Sequence, residues 1–270
     1  MNGNARIRLE QPSDHQQVEN LTREAFYNVY RPGCVEHYLV RVMRGHADFI
    51  PELAFVLDLD GRIIGNIMYT RATLAGQDGS EKHIVTFGPV SIAPAYQRQG
   101  YGAKLIRHSL LQAKALGYEA VVIIGSPANY VGLGFKSCKK YNVCTEDGRH
   151  PAAMLVCELV PQALGGQAWV YRGSPVMAIS EEEEEAQRYD DALPPMQKAH
   201  TPSQEEFYIL SQATLDLSLI HISSVSQPRL AKPCKMVRTD CRLSSQVSAI
   251  CSGLGAGPGA DSESTASSSG

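Results

Sequence analysis

Gln97-Arg98-Gln99-Gly100-Tyr101-Gly102 decides the fold, because the hydrophobic period changes across it. Before it, Thr86 to Ile92 reads as a strand. After it, Leu105, Ile106, Leu110 and Ala113 recur at helical spacing as far as Leu116-Gly117, where glycine suits a left-handed C-cap. Two glycines between a strand and a helix let the backbone approach a ligand closely and turn successive N–H groups outward. The helix N-terminus adds the positive end of its dipole, so the segment reads as a phosphate cradle. A nucleotide P-loop needs Lys-Ser or Lys-Thr after its last glycine, and Ala103-Lys104-Leu105 follows here. A dinucleotide fingerprint opens the first strand-helix unit of a parallel sheet, whereas this loop follows antiparallel strands.

Those antiparallel strands are read upstream. Leu53 to Leu57 and Arg62 to Thr70 are rich in Val, Ile, Leu and Tyr, and Asp60-Gly61 between them is a two-residue hairpin signal. Ile84 to Ile92 continues the meander across the polar loop Gly76 to Ser80. Further back, Ala5 to Leu9 reads as a strand. Ser13 and Gln16 have capping-box spacing ahead of a helix carrying Val18, Leu21, Ala25 and Phe26, and a second helix is expected over Val35 to Met43.

Downstream, Ala120 to Ile124 is a continuous apolar run, as in a strand buried on both faces. A short helix over Ala128 to Leu133, Phe135 and a last strand pair including Met154 to Leu159 complete the domain. An antiparallel meander followed by a strand-helix-strand crossover makes the class α+β with a mixed sheet. The domain is expected over residues 4–162 and a C-terminal extension over 163–217. In the extension the acidic run Glu181 to Glu185 reads as a solvated linker, and Ser203 to Leu217 as one helix capped by Ser203 with Glu206 at its third position. Residues 218–270 end in Gly, Ser and Ala and are expected to be disordered. Leu219-Ile220-His221-Ile222-Ser223 resembles translated adapter sequence.

Bulk properties narrow the partners. The 270 residues carry a net charge of −3 with 43% hydrophobic and 20% charged residues, so no electrostatic footprint for nucleic acid or an anionic membrane is expected. No apolar run reaches the roughly 18 residues that cross a bilayer, and Met1 to Glu10 lacks a signal-peptide core, which points to a cytoplasmic protein. The seven cysteines lack the paired short spacing of a zinc or redox site, so no metal is expected. Cys138, Cys144 and Cys157 read as reduced, buried thiols.

The pattern Gln-x-x-Gly-x-Gly, preceded by Phe87-Gly88-Pro89-Val90-Ser91-Ile92 and Ala93-Pro94-Ala95-Tyr96, resembles the acetyl-CoA pyrophosphate loop of the GNAT superfamily of N-acetyltransferases. Tyr130-Val131-Gly132-Leu133-Gly134-Phe135 resembles the Tyr-x-x-x-Gly-Phe block of the same family. Pro32 to Leu39, Asp48 to Leu53, Gly65 to Tyr69 and Pro202 to Phe207 resemble its YhbS-like bacterial branch, so the resemblance spans about residues 4–215.

The resemblance implies a GNAT-like acyl-CoA N-acyltransferase fold, with acetyl-CoA as co-substrate and a primary amine of a small molecule or peptide as acceptor. The backbone of Val90, Ser91 and Ile92 would bond the pantetheine arm, and Gln97, Arg98, Gln99, Gly100, Tyr101, Gly102 and Ala103 would hold the pyrophosphate. Direct attack would pass through a tetrahedral intermediate whose oxyanion is stabilised by a backbone N–H, and Tyr130 would protonate the departing thiolate. The family's usual second tyrosine is Asn129 here, and Gly132-Leu133 replaces an Arg-Phe pair. By the same resemblance the acceptor site is formed by the first two helices and their connection, Phe26 to Arg31. Glu24, His37, Glu81 and His83 are possible bases, and none is singled out. GNAT-like domains often pair, so a homodimer is possible.

Overall fold

The computed structural model describes residues 5–181 and 183–215; the expected disorder of 218–270 falls outside them. In chain order the strands are β1 (Ala5–Leu9), β2 (Phe55–Leu59), β3 (Arg62–Gly76), β4 (Glu81–Ile92), β5 (Ala120–Ile124), β6 (Lys136–Ser137), β7 (Val143–Cys144), β8 (Met154–Glu158) and β9 (Trp169–Arg172). The helices are α1 (His15–Phe26), α2 (Glu36–Met43), α3 (Tyr101–Ala115), α4 (Pro127–Tyr130), α5 (Glu183–Asp191) and α6 (Pro202–Gln212). All nine strands join one mixed sheet, whose main path runs β1-β2-β3-β4-β5-β8-β6. The first four strands are antiparallel, as the meander predicts, and β4 to β5 is parallel across the α3 crossover.

The hairpin forms as its sequence requires: Asp60 (φ 52°) and Gly61 (φ 87°) are both left-handed, which fits a type I′ turn. Its first strand begins at Phe55 rather than Leu53, because Pro51 to Leu53 forms a 3-10 turn. Helix α1 starts at His15, not after a Ser13 cap. The bonds at its entrance are made by Asp14, whose carboxylate accepts from Gln11 N at 2.8 Å and pairs with Arg8 at 2.6 Å. Asn66 and Tyr69, three apart on β3, point to opposite faces. Asn66 meets Thr22 of α1 at 3.3 Å and Tyr69 meets Ser109 of α3 at 2.8 Å, so the helices cover the sheet from both sides.

Three expectations are corrected in the C-terminal part. Trp169–Arg172 is a strand, β9, pairing with the far end of β3 from Thr73↔Arg172 to Gly76↔Trp169; four residues carry too little periodicity to be read alone. The acidic run is not a solvated linker but part of α5, because Ala186 and Asp190 supply a buried face that the run of glutamates conceals. Helix α6 starts at Pro202, with Thr201 in the cap position. Ser203 instead donates to Val29 O at 2.7 Å, which ties the helix to the body. Of the cysteines, Cys138 and Cys157 are buried and Cys144 is partly exposed; all are free thiols.

Candidate active site

The site begins where two strands part. Strand β4 meets β5 at one register pair, Val85↔Val121. Past that point β4 carries an extra residue: Tyr69↔Phe87 and Ile67↔Val90 span two steps on β3 and three on β4, a bulge that places Gly88-Pro89 opposite Met68. Such a bulge bends and twists its strand, and it accommodates a proline that has no N–H to give. From Val90 to Ile92, β4 remains paired with β3, while β5 offers that stretch no partner. A one-sided strand edge is therefore left beside a cleft.

The glycine loop follows directly. Gln97 donates its side-chain amide to Ile92 O at 3.0 Å, and Gln99 donates to Ala95 O at 3.0 Å, so both glutamines brace the turn. Arg98 (φ 62°) and Gly100 (φ 86°) take left-handed conformations. A Cβ at Gly100 would meet nothing within 4 Å, and Arg98, Gln99 and Gly100 are exposed, so the turn presents its backbone to open space. Helix α3 starts at Tyr101 with no side chain capping it, and Gly102 is buried at its first turn. The unbonded N–H groups of a first turn and the dipole's positive end suit a diphosphate there. The sequence-predicted residues Val90 to Ile92 and Gln97 to Ala103 thus form one continuous surface.

Tyr130 stands on the other wall of the parting. It ends α4 and is 2% exposed, with its ring centroid 5.9 Å from Phe87 and 5.8 Å from Phe135. Gly125 is required by that ring, since a Cβ would lie 2.6 Å from Tyr130 Cε2. The tyrosine therefore packs beside β4 just before Val90, within an aromatic cluster.

The candidate bases separate. Glu24, Glu81 and His83 are exposed, whereas His37 is fully buried at the start of α2. His37 Nδ1 lies 3.2 Å from Cys34 Sγ, and Nε2 lies 3.2 Å from Asp190 Oδ1 without hydrogen-bond geometry. Burial holds the imidazole down to about 4, so it is neutral at pH 7; the tautomer with its proton on Nε2 lets the Cys34 thiol donate to Nδ1. Burial likewise pushes the Cys34 thiol well up. Glu36, 1% exposed, accepts from Val35 N at 3.0 Å and is pushed by burial up to about 7.

Sequence reasoning missed Asp190 and its partners. Arg23 Nε pairs with Asp190 at 2.7 Å, and Arg23 Nη1 donates to Pro194 O at 2.8 Å. Tyr27 donates to Met196 O at 2.9 Å, Asn28 to Gln197 O at 2.9 Å, and Thr201 to Asn28 O at 2.7 Å. Phe207 packs on Tyr30 with centroids 4.4 Å apart. Residues 183–212 thus form a strap over the α1–α2 connection. The separation of more than 160 residues between partners left no local signal, apart from the acidic and aromatic residues themselves.

A cleft at a split parallel pair, with a glycine-turned anion loop at the next helix, is the architecture of acyl-CoA transferases. Residues 16–135 match the acetyltransferase (GNAT) family, and the chain carries a GNAT acetyltransferase domain. It is similar to the uncharacterized N-acetyltransferase YjhQ of Escherichia coli K12, 33% identical over 89 residues, which span 33% of this chain and 48% of the relative. The match therefore spans about half the length of that relative. It is 28% identical to the uncharacterized N-acetyltransferase YhbS of the same organism over 161 residues, 59% of this chain and 90% of YhbS. The solved structure of E. coli YhbS in complex with CoA superposes with a TM-score of 0.57 at 25% identity, covering 65% of this chain and 93% of that one. A GNAT acetyltransferase from Brucella melitensis in complex with acetyl-CoA gives 0.52 at 25% identity, covering 65% and 99%. No helix among the described residues is long and apolar enough to cross a membrane, and no cluster of three or more His, Cys, Asp or Glu suited to a metal occurs among them.

Proposed function

We propose that the protein transfers an acetyl group from acetyl-CoA to a primary amine by direct attack. The observation that carries this reading is the one-sided edge of β4 from Val90 to Ile92, running straight into the left-handed turn at Arg98 and Gly100. Backbone N–H and C=O groups of that edge would pair with the amides of the pantetheine arm as an added strand. The turn and the first residues of α3, Gln97 to Ala103, would hold the diphosphate. The bulge at Gly88-Pro89 aims the β4 backbone at the thioester carbonyl, where an N–H stabilises developing negative charge.

In the transfer, the amine nitrogen bonds to the thioester carbon, the C–S bond breaks, and the thiolate takes a proton from the Tyr130 hydroxyl. Water or an acceptor-side group removes the proton that the amine must lose. His37 does not serve as that base in this account, because its nitrogens face Cys34 and Asp190. CoA release measured across a panel of amines tests the function. Turnover with at least one amine is expected, and a folded protein that binds acetyl-CoA but acetylates none would leave it an acyl-CoA-binding module.

A further inference from the structure

Between the α1–α2 connection and the strap lies a cavity of about 180 Å³, more than ten times the roughly 10–15 Å³ that one water requires. Its lining includes Arg31 and Cys34 from the connection, and Gln187, Asp190 and Lys198 from the strap. The charges are unevenly placed. Asp190 is the acidic member, and its carboxylate is already matched by Arg23 at 2.7 Å. Arg31 and Lys198 then leave the wall with a positive field.

Lys198 is held in position rather than loose. Its Nζ donates to Gln187 Oε1 at 2.6 Å, and its stem crosses Gly33, where a Cβ would come within 3.2 Å of Lys198 Cε. Gly33 also has φ +83°, so glycine serves both the turn and the lysine's passage. The cavity is one helix away from the cleft. Cys34 Sγ on its wall lies 3.9 Å from Arg23 O, and the neighbouring Thr22 hydroxyl accepts from Ser91 of β4 at 3.1 Å.

We propose that this cavity holds the carboxylate of the acetyl acceptor, which makes the substrate a small amino-acid-like amine rather than a polyamine or a peptide N-terminus. The inference rests on the acetyltransferase reading above. A polyamine meets two like charges there, and a peptide N-terminus has no carboxylate within reach of its amine. A carboxylate gains a charge-assisted bond from each cation.

The test compares each of a set of α-amino acids with the amine that remains when its carboxylate is removed, using the full chain and CoA release. The acid should have at least about tenfold higher kcat/KM, as expected for losing one or two hydrogen bonds to a charged group. Lys198→Ala, at an exposed position, should raise KM for the acid by about tenfold, with KM for acetyl-CoA unchanged and Lys198→Arg restoring most of the loss. Equal rates for acid and amine, a preference for spermidine, or an unchanged KM in Lys198→Ala would overturn the proposal. Calorimetric titration of acetyl-CoA separates the two failures. No binding of acetyl-CoA sinks the acetyltransferase reading, whereas binding without preference for the acids sinks this proposal alone.

Discussion

The two ends of the site are built from different materials. The loop from Gln97 to Gly102 is exposed backbone, shaped by two left-handed residues and braced by two glutamine amides. The α1–α2 end is buried side chain, in which Arg23, Cys34, Glu36, His37 and Asp190 are each less than 10% exposed and hold one another through ion pairs and short contacts. The first kind tolerates side-chain change and depends on backbone conformation. The second depends on every partner being present, because a buried charge left alone is costly.

The contrast can be broken most severely at Asp190. Asp190→Ala leaves Arg23 and His37 buried without their carboxylate and should destabilise the fold by about 3–5 kcal/mol, read as a large drop in Tm. A loss under about 1 kcal/mol would mean that the strap is merely laid on the surface. Tyr130→Phe comes next, keeping the ring that packs on Phe87 and Phe135 while removing the hydroxyl. It should lower kcat by about 100-fold with acetyl-CoA affinity unchanged; undiminished kcat would remove Tyr130 from the acid role.

A smaller effect sharpens the account of the buried end. The Glu36 carboxyl holds its proton to about pH 7 when folded, against 4.5 for the free group, so folding takes up a proton in that window and stability falls as pH rises through it. His37 has the opposite sign: its folded value of about 4 lies below 6.5, so stability rises with pH between those values. Glu36→Gln, which can still accept from Val35 N, should stabilise the protein by about 1–3 kcal/mol at pH 8 and by nothing below pH 4. Denaturant titrations across pH read this directly, and the same gain at both pH values would discount the buried carboxylate as its source.

The same contrast explains what the sequence conveyed. Backbone devices are local, so the Asp60-Gly61 hairpin, the Gly100 loop, the Gly117 cap and the meander were all legible, as was the stretch that the loop continues from Val90. The bulge at Gly88-Pro89 and the parting of β4 from β5 depend on register, which single-strand periodicity does not contain. The buried end was illegible for a stronger reason. Arg23 and Asp190 are 167 residues apart, and a run of glutamates beside Asp190 reads as solvated surface until Ala186 and Asp190 are seen to share its buried face. His37 was noticed as a titratable group near the acceptor helices, but its burial against Asp190 follows only from the strap.

The central claim is that the exposed backbone turn holds the diphosphate of acetyl-CoA, and calorimetric titration into wild type and Gly100→Trp tests it most directly. The substituted ring has room, since a Cβ there meets nothing within 4 Å, but it would occupy the space above the turn and force a left-handed tryptophan. Saturable acetyl-CoA binding in the wild type, abolished in a Gly100→Trp protein that still melts cooperatively, is the predicted result. Equal binding by both proteins, or none by the folded wild type, would contradict it.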